Sequence, residues 1–279
     1  VVTEQTGFAV RGPEDDSPLV GGSSGDLRVQ NVSKVFAGAR SNVVALRDVN
    51  LEVTRGSFVS LLGPSGCGKS TLLRILGGLD TPSQGTVSTG GVSVANGVAF
   101  LFQDYAIFPW LSVIDNVAFG LRMQGVKKAE RLDRSREWLR KVGLVDFDDA
   151  FPEQLSGGMR QRISLARAFV TEPEVLLMDE PMGAVDAQTR LVLQEDLARL
   201  WEATRKTVVL VTHSIEEAIL LGDRVVVMSS RPGRVKLDIN VDLPRPRTQA
   251  ATTTEPFAAL KATLWEALRD DVAKSLEFS

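Results

Sequence analysis

A chain of 279 residues, 43% hydrophobic and 24% charged, has the proportions of a folded protein with one or two compact units, and its single Cys67, His213 and Tyr105 exclude several chemistries. One cysteine closes no internal disulfide and favours a reducing, cytosolic compartment, one His with one Cys builds no zinc site, and a Ser-His-Asp hydrolase would have to be centred on His213. The net charge of −3 divides into −4 over residues 1–26 and +1 over the rest, so the body lacks the basic footprint of a nucleic-acid binder and no nucleic-acid partner is expected.

Residues 1–26 hold Pro13, Pro18 and the run Gly21-Gly22-Ser23-Ser24-Gly25, bury little, and read as a flexible leader without the basic start and apolar core of a signal peptide. No apolar run approaches the ~20 residues that span a bilayer, so membrane contact is expected to go through a partner protein. From Leu27 the chain alternates apolar and polar residues, as Leu46 to Val53 does in part, which predicts half-exposed strands. Phe58 to Leu62 is a short apolar run and reads as a buried strand, followed by a Gly-rich turn and a helix through Thr71 to Leu76. Further strand-like stretches lie between Gly90 and Gln103, and residues 104–170 are mainly helical, with helices over Lys127–Val142 and from about Gly158 to Phe169. Strand-like cores return at Val175–Met178, Val208–Val211 and Val225–Met228. The first two are separated by a helix with the apolar stripe Leu193, Leu197, Leu200 and Trp201. Buried strands alternating with helices predict an α/β parallel sheet, split in sequence by a helical insertion. Thr248 to Glu255 is linker-like, and Phe257, Leu260, Leu264, Leu268 and Val272 fall at helical spacing, an amphipathic helix that docks on its own domain or serves dimer contacts.

Gly63-Pro64-Ser65-Gly66-Cys67-Gly68-Lys69-Ser70 satisfies the pattern G-x-x-x-x-G-K-[ST], and Thr71 follows. Glycines let backbone N–H groups turn inward around phosphate oxygens, and the following helix presents its positive end to the same anion. Lys69 supplies charge to the outer phosphates and the Ser70 hydroxyl suits Mg2+, so the loop is read as binding nucleoside triphosphate, with Cys67 a space-filling member. Asp179 and Glu180 end a buried strand. Asp179 is the expected second holder of Mg2+, directly or through water, and Glu180 a general base for the attacking water. His213 ends another buried strand, a position that suits a site residue as well as a structural one, and Ser214 with Glu217 reads as a capping box opening the next helix.

Leu155-Ser156-Gly157-Gly158-Met159 precedes a helix that Ser156 can cap, with first N–H groups open to an anion. Together with Gly63–Ser70, Gln103, Asp179-Glu180, Ala184-Val185-Asp186 and His213, in that order, the sequence resembles an ATP-binding-cassette ATPase over roughly residues 27–245. The resemblance implies a P-loop NTPase (RecA-like) core with an antiparallel β subdomain and an inserted helical signature subdomain, taking ATP and Mg2+. It implies a cassette domain over residues 27–247, with the helical part at about 104–170 and a linker and C-terminal helix over 248–279. Phe36 is similar to the aromatic that stacks on adenine, and Gln103 to the glutamine that senses Mg2+ and the γ-phosphate. Ser156, Gly157 and Gly158 match the signature that caps ATP on the opposite subunit, Asp186 the acid of the loop crossing the dimer interface, and His213 the switch histidine at the γ-phosphate. Two cassettes then sandwich two nucleotides as a homodimer. Met159, Met182 and Val185 depart from the commonest pattern but remove no charge or proton carrier.

Phe108-Pro109-Trp110-Leu111-Ser112-Val113, Ser230-Arg231-Pro232-Gly233-Arg234 and Leu243-Pro244-Arg245-Pro246-Arg247 accompany the signature. That set resembles the nitrate/sulfonate/taurine importer branch, whose cassettes work at the cytoplasmic membrane face with a permease and an extracytoplasmic solute-binding protein. Tyr105, Phe108, Trp110 and Leu111 read either as packing of the helical insertion or as the family's groove for a permease helix. A soluble cassette acting on nucleic acid or ribosomes is the competing expectation, against which stand the single cassette and the lack of sustained heptads.

Overall fold

The computed structural model describes residues 26–38 and 41–276. The leader read into residues 1–26 lies outside them except for Asp26, which is buried and accepts the Arg55 N–H at 3.0 Å. In chain order the elements are β1 (Leu27–Phe36), β2 (Val43–Val53), β3 (Phe58–Leu62), α1 (Lys69–Leu76), β4 (Gln84–Ser88), α2 (Val94–Gly97), β5 (Val98–Leu101), α3 (Val113–Met123), α4 (Lys128–Lys141) and α5 (Gly157–Phe169). There follow β6 (Val175–Asp179), α6 (Ala187–Thr204), β7 (Thr207–Thr212), α7 (Ile215–Leu221), β8 (Arg224–Met228), β9 (Val235–Asn240) and α8 (Glu255–Leu276).

The strands form two sheets. A three-stranded antiparallel sheet runs β2-β1-β4, and a six-stranded sheet runs β5-β6-β7-β3-β8-β9, parallel except for β9. β3, β6 and β7 are buried at every residue, as their largely apolar runs require of strands covered on both faces. Alternation then sorts their side chains. Phe58, Leu176, Met178, Val208 and Leu210 enter the cluster under the helical layer, while Val59, Leu61, Leu177, Val209 and Val211 face α1 and the antiparallel sheet. Trp201 of α6 closes the first cluster, edge-on to Phe58 at 5.6 Å, with its indole N–H donating to Lys206 O at 2.8 Å.

Two strands fall outside the sequence reading. β4 has one large apolar residue, Val87, and β9 is an edge strand whose alternate residues face solvent. Within Gly90–Gln103 only β5 is a strand, preceded by the single helical turn α2, and regular helix in the inserted region begins at Val113. There α3, α4 and α5 pack through Val117, Leu121, Leu139, Ile163 and Phe169. The buried Asn116 pins the preceding loop, its amide donating to Phe108 O, Leu111 O and Ser112 O at 3.0 Å each.

The capping box at α7 forms by half. Ser214 Oγ accepts the Glu217 N–H at 3.3 Å, but the Glu217 carboxyl turns into the interior. The segment read as a linker is packed, with a 3-10 turn at Gln249–Thr253 and Gln249 bonded to Gln194 on α6. The buried Arg247 guanidinium donates to the carbonyls of Ile219, Gly222, Val241 and Leu243, and burial pulls its pKa down to about 10. α8 docks through Phe257, Leu264 and Leu268 on the cluster formed with α7 and β8. Among the described residues no helix is long and apolar enough to cross a membrane.

Candidate nucleotide site

The register of the parallel strands assembles the site. Leu62 pairs with Thr212 and Asp179 with Val211, so the residues just past the carboxyl ends of β3, β6 and β7 — Gly63, Glu180 and His213 — gather at one edge of the sheet. The turn from Gly63 to Gly68 passes directly into α1, whose first turn carries no capping side chain. Gly66 and Gly68 have φ of +73° and +104°, and a Cβ on Gly68 would lie 2.7 Å from Leu46 Cδ2 and 2.9 Å from Ala45 O. The loop is thereby pressed against β2, and only glycine fits at Gly68.

Lys69 is buried, and its ammonium donates to Gly63 O at 2.8 Å and Pro64 O at 2.9 Å. This curls the side chain back over the loop, with its charge beside the cradle. The Ser70 hydroxyl donates to Asp179 Oδ1 at 2.7 Å. Burial pushes the Asp179 carboxyl up, and the Ser70 bond opposes the shift. Two hard oxygen donors thus converge beside the phosphate cradle, which suits Mg2+ shared with phosphates and water. Among the described residues no group of three or more His, Cys, Asp or Glu side chains could hold a metal. Ser65, Cys67 and Thr71 complete the loop. Cys67 is buried, and burial pushes its thiol up, which accords with space-filling.

Glu180 has φ +44°, a left-handed conformation that costs a residue with a Cβ roughly 1–2 kcal/mol. The strain is held by Glu180 N–H donating to Val211 O and by Gly183 N–H donating to Glu180 O, each at 3.0 Å. The result aims the Glu180 carboxylate at His213, with Oε2 2.9 Å from Nδ1. A carboxylate accepts, so Nδ1 carries the proton of this bond and Nε2 is left for another partner. The sequence treated Glu180 and His213 as separate; the parallel register makes them a pair.

Gln103 is exposed just past β5, and a Cβ on Gly183 would lie 3.9 Å from its Nε2, so it overlies the turn after Glu180. Phe36, at the end of β1, is 42% exposed with the Lys34 ammonium 5.0 Å from its ring centre. It pairs with Val43, two residues before the Ala45 that touches the phosphate loop, so an open aromatic ring stands at the same corner.

The Ser156 turn lies apart. Ser156 Oγ accepts the Met159 N–H at 3.3 Å as the cap of α5, and Cβ atoms on Gly157 and Gly158 would lie 2.9 Å from Tyr105 Oη and 2.5 Å from Thr189 Cγ2. Asp186 caps α6, accepting Thr189 N–H at 2.9 Å and Thr189 Oγ1–H at 2.6 Å, and those bonds hold its carboxyl below the usual range. Among the described residues no hydrogen bond joins Ser156, Gly157, Gly158 or Asp186 to the phosphate loop.

One supporting contact escaped the motif reading. A Cβ on Gly233 would lie 2.1 Å from Cys67 O, and Gly233 also exchanges backbone bonds with Ala45 and Arg47 at 2.9 and 3.0 Å. The turn after β8 is therefore flush against the phosphate loop. Its sequence mark is Pro232-Gly233, which says turn but not what the turn touches.

A second feature is a groove of about 660 Å³ between β5 and the helical layer, lined by Phe100, Phe102, Phe108, Phe119, Met123 and Arg167. Phe108 stacks against Phe119 at 4.6 Å and Trp110 at 5.5 Å, and Trp110 is 71% exposed.

The family profile described as ABC transporter matches residues 46–183. The chain is 46% identical, over 90% of its length and 94% of the relative's, to an uncharacterized ABC transporter ATP-binding protein of Methanocaldococcus jannaschii. It therefore belongs to the ABC transporter family. The ABC cassette chain is also 44% identical to the nitrate import ATP-binding protein of a Synechocystis strain, over 78% of this chain and 83% of that one. It is 47% identical to a taurine import ATP-binding protein of Burkholderia pseudomallei, over 85% and 90%. Among solved structures it superposes on a dimeric bacterial ABC transporter cassette with a TM-score of 0.69 at 34% identity, over 78% of this chain and all of that one. The same cassette in a post-hydrolysis state with ADP and Pi matches with a TM-score of 0.69 at 33% identity. This chain is accordingly an ATP-binding cassette ATPase with the P-loop NTPase fold.

Proposed function

We propose that the chain is the ATP-driven motor of an importer for a small anion such as nitrate, a sulfonate or taurine. It works as a homodimer at the cytoplasmic face of the cell membrane, held there by permease subunits that receive cargo from an extracytoplasmic binding protein. The hydrolysis half of the reading is carried by the pairing of Glu180 with His213 beside that of Ser70 with Asp179, at the sheet edge that bears the phosphate loop, and the importer half by the likeness to the nitrate and taurine import ATP-binding proteins. The cassette spans residues 27–247, its helical part is centred on α3–α5, and the C-terminal segment is an appendage docked on it.

Ser65 to Thr71 bind the phosphates through backbone N–H groups and the end of α1, and Lys69 adds a positive charge that moves from the loop carbonyls to the nucleotide. Phe36 stacks on the base. Ser70, Asp179 and Gln103 would hold Mg2+, which would neutralise phosphate charge. Glu180 accepts the proton of the attacking water, and His213, oriented by Glu180 through Nδ1, directs Nε2 at the terminal phosphate. Ser156, Gly157, Gly158 and Asp186 act across the dimer, each chain completing its partner's site. The aromatic groove before α3 receives a permease helix.

Glu180→Gln is expected to keep ATP binding while hydrolysis falls by about 10²–10⁴-fold, the usual worth of a general base. ATP turnover by the purified variant, together with recovery of a multi-span permease when the wild-type chain is isolated from native membranes, tests both halves of the reading. Wild-type turnover in Glu180→Gln removes the base assignment, and recovery only with ribosomal or DNA-bound proteins removes the transporter assignment.

A further inference from the structure

Ser230-Arg231-Pro232-Gly233-Arg234 takes no part in the chemistry above. These residues make the turn between β8 and the edge strand β9, closed by Ser229 N–H donating to Arg234 O at 2.9 Å and Arg234 N–H donating to Ser229 Oγ at 3.1 Å. The turn meets the phosphate loop at two points. Where β8 ends, a Cβ on Gly63 would lie 3.0 Å from Met228 O, and further on a Cβ on Gly233 would lie 2.1 Å from Cys67 O. Gly233 is also bridged to β2, its N–H donating to Ala45 O at 2.9 Å and its carbonyl accepting Arg47 N–H at 3.0 Å. Ala45 and Leu46 in turn press on Gly68. One wall of the cradle is therefore built from β2 and this turn.

The turn is gripped from outside by Asp271 of α8, which is 5% exposed. Its Oδ1 accepts Ser230 N–H and Ser230 Oγ–H at 2.8 Å each, and its Oδ2 accepts the Lys236 ammonium at 2.7 Å. A single carboxylate thus holds the turn on both sides, just past β8 and within β9. α8 is anchored separately through Phe257, Leu264 and Leu268, so the carboxylate is a fixed point for the turn.

We propose that Asp271 is a positioning residue for nucleotide binding: from the C-terminal helix it fixes the turn over residues 229–234 against the phosphate loop, so that the backbone N–H groups of the loop keep their aim. The proposal rests on the reading of residues 63–70 as the phosphate cradle. Holding Ser230 needs an acceptor oxygen and not a negative charge, which separates two variants. In the purified full chain, Asp271→Ala is expected to raise the Kd for Mg2+-free ATP, read by titration calorimetry well below the melting temperature, about tenfold, the scale of a small misplacement in a preorganised site. The KM for MgATP should rise in step, with kcat at saturating ATP within about twofold of wild type. Asp271→Asn keeps an oxygen for Ser230 and is expected to restore most of the affinity, the half-exposed Lys236 turning to water.

Wild-type Kd in Asp271→Ala overturns the proposal. A reduced number of binding sites at wild-type Kd also overturns it, because a lesion of stability alone removes folded molecules without weakening those that remain. Equal loss of affinity in Asp271→Asn and Asp271→Ala overturns the acceptor role. If Asp271→Ala does not fold, Ser230→Ala decides, since it removes the hydroxyl bond and keeps the backbone one. A Kd raised about threefold there supports the proposal, and an unchanged Kd overturns it. Lys69→Ala measured alongside keeps the two failures apart: wild-type ATP affinity in that variant sinks the cradle reading whatever Asp271 does.

Discussion

Lys69, Ser70, Asp179, Glu180 and His213 find partners at the ends of three buried strands, whereas Ser156 and Asp186 cap their own helices and Gly157 and Gly158 lie close against Tyr105 and Thr189. In the first region each reactive side chain is aimed by a neighbour, and one residue, Glu180, is held in a strained backbone conformation to keep its aim. In the second the polar atoms are satisfied by capping bonds. The difference teaches that sheet register can bring side chains from distant strands into direct bonds within a single chain, while helix-end residues satisfy themselves locally, as the proposed action across a dimer requires.

That comparison can be broken by mixing lesions. Lys69→Ala and Ser156→Arg are each expected to abolish hydrolysis alone. A 1:1 mixture is expected to recover about a quarter of wild-type activity, because half of the dimers carry one site with both partners intact. A mixture as inactive as its components means that the Ser156 region does not serve a partner's site. A smaller and more selective effect is expected at the groove. Trp110 is exposed, so Trp110→Asp leaves basal ATP hydrolysis within about twofold, as for a rim substitution away from the site, while substrate uptake by the assembled transporter is lost. Parallel loss of both activities would make the aromatic cluster a packing feature.

The smallest effect concerns the C-terminal helix. Asp271 on α8 accepts Ser230 N–H and Oγ–H at 2.8 Å each and the Lys236 ammonium at 2.7 Å. Burial works to raise its pKa, but the bonds from Lys236 and Ser230 outweigh it and hold the carboxyl below its ordinary value. A depressed folded pKa contributes stability above the unfolded value that is lost as pH falls through the folded one. Asp271→Ala is thus expected to cost about 1–3 kcal/mol near neutral pH, the usual worth of bonds to a buried charge. The gap from wild type should shrink as pH drops below the carboxylate range. Denaturant melts at several pH values read this directly, and a gap constant down to pH 3 points to lost packing instead.

Local chemistry made part of this legible from sequence. Gly63 to Ser70 reads as a turn between strand and helix because glycines and a following Lys-Ser have few other uses in that order, and β3 and α1 flank it. The runs of β3, β6, β7 and β8 read as buried strands because their centres are apolar, Ser60 in β3 being the one polar residue inside them. β9 was not read, since its alternation is that of an edge strand and depends on β8 beside it. The capping box of Ser214 and Glu217 formed only its Ser214 half, again because tertiary packing decided the rest. Spacing allowed the Glu217 side chain to reach back, but in the fold it is buried at 5% exposure.

The sequence by itself determined which residue types could do phosphate chemistry, which segments are buried strands, and the family to which the chain belongs. The first two follow from composition and spacing along a few residues at a time, and the third from the likeness of whole motifs, in order, to those of known cassettes. Tertiary structure alone decided that Glu180 faces His213, that Ser70 meets Asp179 across 109 positions, and that Gly233 lies against Cys67. Such pairings depend on the register and order of parallel strands joined through long crossovers, and no local pattern encodes which strand ends are brought side by side.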